Sequence, residues 1–153
     1  MTTMTATATQ VYQVFVKASP EQIWDAITKP EFTTKYFHGA VLDSAYEPGA
    51  PYRGFSADRS VQFVDGEVLE VRPPTRLVTT WKALWDPDMA AEPAGRVTWE
   101  IEAQEGGFTR LTVVHDDLAE SPKTAESVGS ATGWPLVLSG LKTLLETGEA
   151  LAS

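Results

Sequence analysis

The residues able to exchange protons near neutral pH are two histidines, His38 and His115. His115 ends the alternating run Leu111-Thr112-Val113-Val114-His115 and shares parity with Leu111 and Val113. On a strand that parity turns the imidazole toward the core, where it serves as a polar anchor or as a general acid/base. The competing role is a hydrogen-bonded histidine at a sheet end, the usual fate of a buried polar group. Asp116 follows directly, but strand neighbours face opposite sides, so the two do not form a dyad. His38 lies between Tyr36-Phe37 and Gly39, and a position at a helix C-terminus accounts for it by itself. Cysteine is absent, which removes disulfides, thiol nucleophiles and thiolate metal sites together. Two distant histidines make no metal signature, and neither a metal nor any other cofactor is expected. Asp86, Asp88 and Glu92 lack the regular spacing of a calcium loop and read as a solvated acidic loop. No glycine-rich phosphate loop or nucleophile elbow is present.

Aromatic residues form the larger constellation. Trp81 and Trp99 fall on strand-like segments, Trp134 on a helix, and Phe37 beside a potential opening, with Trp85 just before the acidic loop. Aromatic bodies with one polar edge suit a mostly apolar pocket, although filling a core is the alternative use. Trp24 reads as core. The expected ligand-binding set is Phe37, Trp81, Trp99, His115, Trp134, Leu138 and Leu141. No residue is assigned to catalysis, His115 being the one candidate. Arg53, Arg59 and Arg76 are expected at the surface.

These side chains need elements to hold them. Tyr12 to Lys17 alternates as a strand with Tyr12, Val14 and Val16 inward. Ser19-Pro20-Glu21-Gln22 carries a capping box with proline at the first helical position. Lys29-Pro30 ends that short helix, and Glu31 to Phe37 forms a second. Strands follow over Ala40 to Ala45, Pro51 to Ser56 and Val61 to Val71, the last with a turn or bulge at Asp65-Gly66. Arg72-Pro73-Pro74-Thr75 is a connector. Arg76 to Leu84 is a strand with Leu77, Thr79 and Trp81 on one face. Asp86 to Gly95 is a surface loop, and Arg96 to Ala103 pairs with Phe108 to Asp116 as a hairpin. Ser121-Pro122 opens the last helical region, in which Trp134, Leu138, Leu141 and Leu145 line one face. Pro135 predicts a kink or restart beside Trp134. The order is α+β: a curved antiparallel sheet of about six to seven strands wrapped around a long C-terminal helix.

Length and charge bound the function. A chain of 153 residues supports one domain, taken as residues 11–150 behind a flexible tail of residues 1–10. With 12 basic against 21 acidic residues the net charge is -9, which argues against nucleic acid and against an anionic membrane surface. No apolar run is long enough to span a bilayer, and the N-terminus does not read as a secretory signal, so a cytoplasmic location is expected.

Four segments, taken in order, resemble the START-like (SRPBCC) superfamily. They are Val16 to Ile27, Gly66 to Leu77 followed by Trp81, Thr109 to His115, and Gly133 to Leu145. They are most similar to the bacterial branch related to the C-terminal domain of the activator of the heat-shock chaperone ATPase, over about Val11 to Gly148. The resemblance implies a helix-grip fold, a hydrophobic cavity and a link to stress response, with no reaction common to the family. The leading expectation is a non-enzymatic binder of an apolar or amphipathic small molecule in a closed cavity, as monomer or homodimer. The alternatives are an enzyme of cyclase or hydrolase type using His115, and a chaperone-associated module that engages a protein partner.

Overall fold

The computed structural model describes residues 9–151. Strand β1 (Gln10–Val16) leads into two short helices, α1 (Pro20–Thr28) and α2 (Pro30–Tyr36). Strands β2 (Val41–Ser44), β3 (Pro51–Phe55), β4 (Gln62–Arg72) and β5 (Arg76–Ala83) follow. A single-turn helix α3 (Pro87–Ala90) precedes the hairpin β6 (Gly95–Ala103) and β7 (Thr109–Asp116). Helices α4 (Pro122–Val128) and α5 (Trp134–Thr147) complete the order. The seven strands form one antiparallel sheet, β1-β7-β6-β5-β4-β3-β2, curved around α5 in the expected α+β helix-grip arrangement. Most of the expected tail lies outside the described residues, and Gln10 already belongs to β1.

Local chemistry sets the element ends. The Gln22 amide donates to Ser19 Oγ at 3.1 Å, and the Ser19 amide donates to Gln22 Oε1 at 2.8 Å, which closes the capping box. On α1 the buried positions are Ile23, Ala26 and Ile27. Trp24 stands one position off that stripe and is half-buried against the core instead of within it.

Strand β4 corrects one expectation. Asp65-Gly66 makes neither turn nor bulge: the strand runs through it, and the register shift falls between Val68 and Glu70. Gly66 is there for clearance, since a Cβ would sit 2.1 Å from the Thr80 carbonyl oxygen on β5.

Helix α5 begins at Trp134, with Pro135 at its second position, where a missing amide proton leaves no helical bond unmade. The chain therefore restarts at Trp134. The buried side chains Trp134, Val137, Leu138, Leu141 and Leu144 face the sheet, while Leu145 is only partly buried. Further along, Lys142 Nζ donates to the Phe15 carbonyl at 2.7 Å and Glu146 accepts from the Lys17 amide at 2.7 Å. The pair occupies one carbonyl of edge strand β1 and the amide just past its end, groups open to another strand if left free.

The expected acidic loop lies at the surface, with Asp88 exposed, but it is pinned to the body of the fold. Asp86 caps α3, whose Met89 is buried in the core. Glu92 accepts hydrogen bonds from the amides of Lys123 (3.0 Å) and Thr124 (2.9 Å) and from Thr124 Oγ1 (2.8 Å). Ser121 Oγ donates to the Pro93 carbonyl at 2.7 Å, and Lys123 Nζ pairs with Asp88 at 2.7 Å. The sequence supplies this strap as an outside cap for α4, whose own Ser121 makes no side-chain cap bond.

Candidate functional site

His115 lies on the inward face of β7, opposite Val97, which in turn faces Thr79 across β5 and β6. It is fully buried, and its Nδ1 accepts the indole proton of Trp134 Nε1 at 3.0 Å. An accepting Nδ1 fixes the neutral ring as the Nε2–H tautomer. The ring centroid is 5.2 Å from that of Trp81 and 6.0 Å from that of Trp134, both near perpendicular. Burial pushes the His115 pKa down to about 4, against a smaller opposing pull from the Asp116 charge. Nε2 has no hydrogen-bond partner among the described residues. It faces Gly95, where a Cβ would come within 3.1 Å of it, so glycine at that position leaves space for the imidazole.

Beside this pair lies an open cleft of about 320 Å³ at the N-terminal end of α5. One wall is the sheet, through Phe63 and Val64 of β4 and Trp81 of β5, with Trp85 just beyond. The α2–β2 connection contributes Phe37, His38 and Ala40, its chain reversed by positive φ at His38 (53°) and Gly39 (74°). Helix α4 adds Ser127 and Val128, and the α4–α5 corner adds Thr132, Gly133, Trp134 and Val137. Phe37 meets Trp134 edge-on at 5.8 Å, and Trp85 meets Trp81 edge-on at 5.7 Å. Trp81 and Trp134 are set into the wall at 3% and 2% exposure, whereas Trp85 is 46% exposed at the mouth.

The seven residues expected to bind ligand are divided by this geometry. Phe37, Trp81 and Trp134 come together on the cleft wall. Trp99 stands behind Trp134 at 5.5 Å, and His115 behind both Trp134 and Trp81, each sealed from the cleft. Leu138 and Leu141 lie further down α5 in the closed core. Strand parity and helix spacing say which face is buried, but not whether that face meets a void or another side chain. In the same burial the His115 lone pair is taken by Trp134, and its ring is not part of the cleft lining. The cleft is open instead of closed among the described residues.

Phe63, Val64, Ser127, Val128 and Thr132 also line the site, together with Trp85 and His38 at its edge, and none of the first five stands out in the sequence by its own type or spacing. A usable signal was present: aromatics flank the paired ends of β4 and β5, where the Leu84 amide donates to the Phe63 carbonyl at 2.8 Å. A second depression, about 480 Å³, lies over charged residues of β5, β6 and β7. There Arg76 pairs with Glu100 at 2.6 Å and Arg110 with Glu102, so the charges are spent on one another. Among the described residues no group of three or more His, Cys, Asp or Glu is placed to hold a metal. No helix among them is long and apolar enough to cross a membrane.

Comparison with solved structures gives the same fold. Protein MLL2253 from Mesorhizobium loti is 26% identical, with a TM-score of 0.71 over 90% of this chain and 96% of its own. CalU16 from Micromonospora echinospora is 20% identical, with a TM-score of 0.68 over 92% of this chain and 77% of its own. The Aha1 dimer from Colwellia psychrerythraea is 19% identical, with a TM-score of 0.69 over 93% of this chain and 98% of its own. A search of curated proteins found no match. Residues 17–146, which span α1 through nearly all of α5, match the family described as Activator of Hsp90 ATPase homolog 1-like protein, and the chain belongs to that family, within the START-like superfamily.

Proposed function

We propose that this protein binds an apolar or amphipathic small molecule in the cleft bounded by Trp81, Trp85, Phe37 and Trp134. The observation that carries the reading is the cleft itself: a concave, mostly apolar wall with aromatic bodies and a few polar groups at its rim. Its floor is held by the bond between Trp134 and His115, which presets the largest ring on α5 before any ligand arrives. Membership of this family supports a ligand-binding or interaction domain and leaves the ligand to be identified.

The test is a titration with a fluorescent apolar probe, followed by quenching of tryptophan emission and by calorimetry. Saturable binding weakened by Trp85→Ala supports the site. Absence of binding across a broad set of apolar and amphipathic compounds rejects it.

A further inference from the structure

We infer that the occupant of this cleft is an uncharged, flat polycyclic aromatic molecule, in preference to a fatty acid or an organic cation. The inference rests on the reading of the cleft as a ligand site and adds the class of ligand.

Three observations carry it. The wall holds five aromatic side chains, Phe37, Phe63, Trp81, Trp85 and Trp134, and not one Asp, Glu, Lys or Arg. A carboxylate or ammonium entering this space leaves water without a counter-charge, and that loss is large in apolar surroundings. The second concerns hydrogen bonding. The Trp134 indole proton is already given to His115 Nδ1 at 3.0 Å. An anionic head group directed inward therefore does not receive it, and side-chain polarity is left to the indole N–H groups of Trp81 and Trp85 and to Ser127, Thr132 and the exposed His38 near the rim. Such groups suit a neutral hydroxyl or carbonyl at the ligand's outer edge.

Shape is the third. The deep rings pack edge-to-face, with interplanar angles of 89° for Phe37 with Trp134 and 82° for Trp99 with Trp134. In each contact the edge of one ring covers the face of its neighbour, and a covered face is not available to the cage that a quaternary ammonium requires. Trp85 differs: it is half-exposed and stands at 74° to Trp81, which leaves indole surface free at the mouth for a flat ligand to stack on. The volume, about 320 Å³, is at the lower end for small-molecule sites, which run from roughly 300 to 1,000 Å³. An open cleft of that volume has room for a few fused rings.

The experiment compares ligands that differ in charge or shape alone. Anthracene, anthracene carboxylate, an anthracenylmethyl ammonium and dodecanoate are titrated into the protein, with energy transfer from tryptophan to the anthracenes and calorimetry for all. The expected result is that anthracene binds at least about tenfold more tightly than each of the others, the cost of stripping water from an unpaired charge. Trp85→Ala and Phe63→Ala are each expected to weaken anthracene, with circular dichroism unchanged. Equal or tighter binding of the carboxylate, the ammonium or dodecanoate overturns the ligand class while leaving the site in place. Anthracene binding unaffected by both substitutions places it elsewhere and overturns the inference. Failure of every probe removes the ligand site and the inference with it.

Discussion

Trp134 Nε1 donates its proton to His115 Nδ1 at 3.0 Å with both side chains sealed from solvent, so the first residue of α5 is bonded to the last inward position of β7. This single contact ties the closing helix to the sheet at the edge of the cleft. It also explains why a histidine is tolerated among Trp81, Trp99 and Val97.

The contact is expected to show as an energetic coupling. Trp134→Phe strands a buried acceptor, and His115→Leu strands a buried donor, each costing about 1–3 kcal/mol. The double variant loses both partners at once, so its loss is expected to fall short of the sum of the singles. Urea unfolding of the four proteins measures this. Strict additivity would mean that the bond does not contribute to stability.

Burial of His115 makes stability depend on pH. Its folded pKa of about 4 lies below the value near 6.5 of an unfolded chain, so as pH falls between the two the unfolded state takes up a proton that the native state refuses. The stabilisation is present above about pH 6.5 and fades toward pH 4, at up to about 1.4 kcal/mol per pH unit. Denaturant melts at intervals from pH 7.5 to pH 4 are expected to show this slope, and His115→Leu to flatten it. A slope surviving intact in that variant assigns it to the carboxylates instead.

Local rules in the sequence carried much of this architecture. The capping box at Ser19 and Gln22, the proline starts, and the shared parity of Leu111, Val113 and His115 are statements about neighbours within a few residues, and the structure repeats them. The site was less legible because its parts are far apart in the chain. Nothing near His115 announces that Trp134 will take its lone pair. Nor does the text near Glu92 announce that the carboxylate will cap α4 more than 30 residues later. Leu138 and Leu141 carry the same stripe as Trp134, yet only the first turn of α5 meets open space. Periodicity assigns a face; the packing partner decides whether that face is a wall or a filled core.

The Asp65-Gly66 pair offers a direct check of close approach against turn chemistry. Asparagine and aspartate at a true turn tolerate the replacement of a neighbouring glycine poorly because of positive φ, but Gly66 is limited by the Thr80 carbonyl instead. Gly66→Ala is therefore expected to force β4 and β5 apart and cost about 1–3 kcal/mol, as overpacking does. Amide exchange should quicken along the β4–β5 ladder and stay slow in β6 and β7. Exchange unchanged in β4 would show that the strands accommodate a methyl group there.

Glu92 holds the strap against the N-terminus of α4. Although burial alone would raise the Glu92 pKa, the amides of Lys123 and Thr124 and the Thr124 hydroxyl together hold it below the ordinary carboxylate value. A carboxylate at a helix N-terminus satisfies orphan amides and complements the helix dipole, and removing such a cap typically costs about 0.5–2 kcal/mol. Glu92→Ala is thus expected to destabilise the protein by that order and to deprotect the Lys123 and Thr124 amides, with Glu92→Gln falling between it and the parent. Ser127 and Val128 of α4 form one side of the cleft, so loosening this helix should also weaken whatever binds there. The two readouts separate the roles. Lost protection at Lys123 and Thr124 without weaker probe binding would mean that Glu92 caps α4 but does not hold the cleft wall in place.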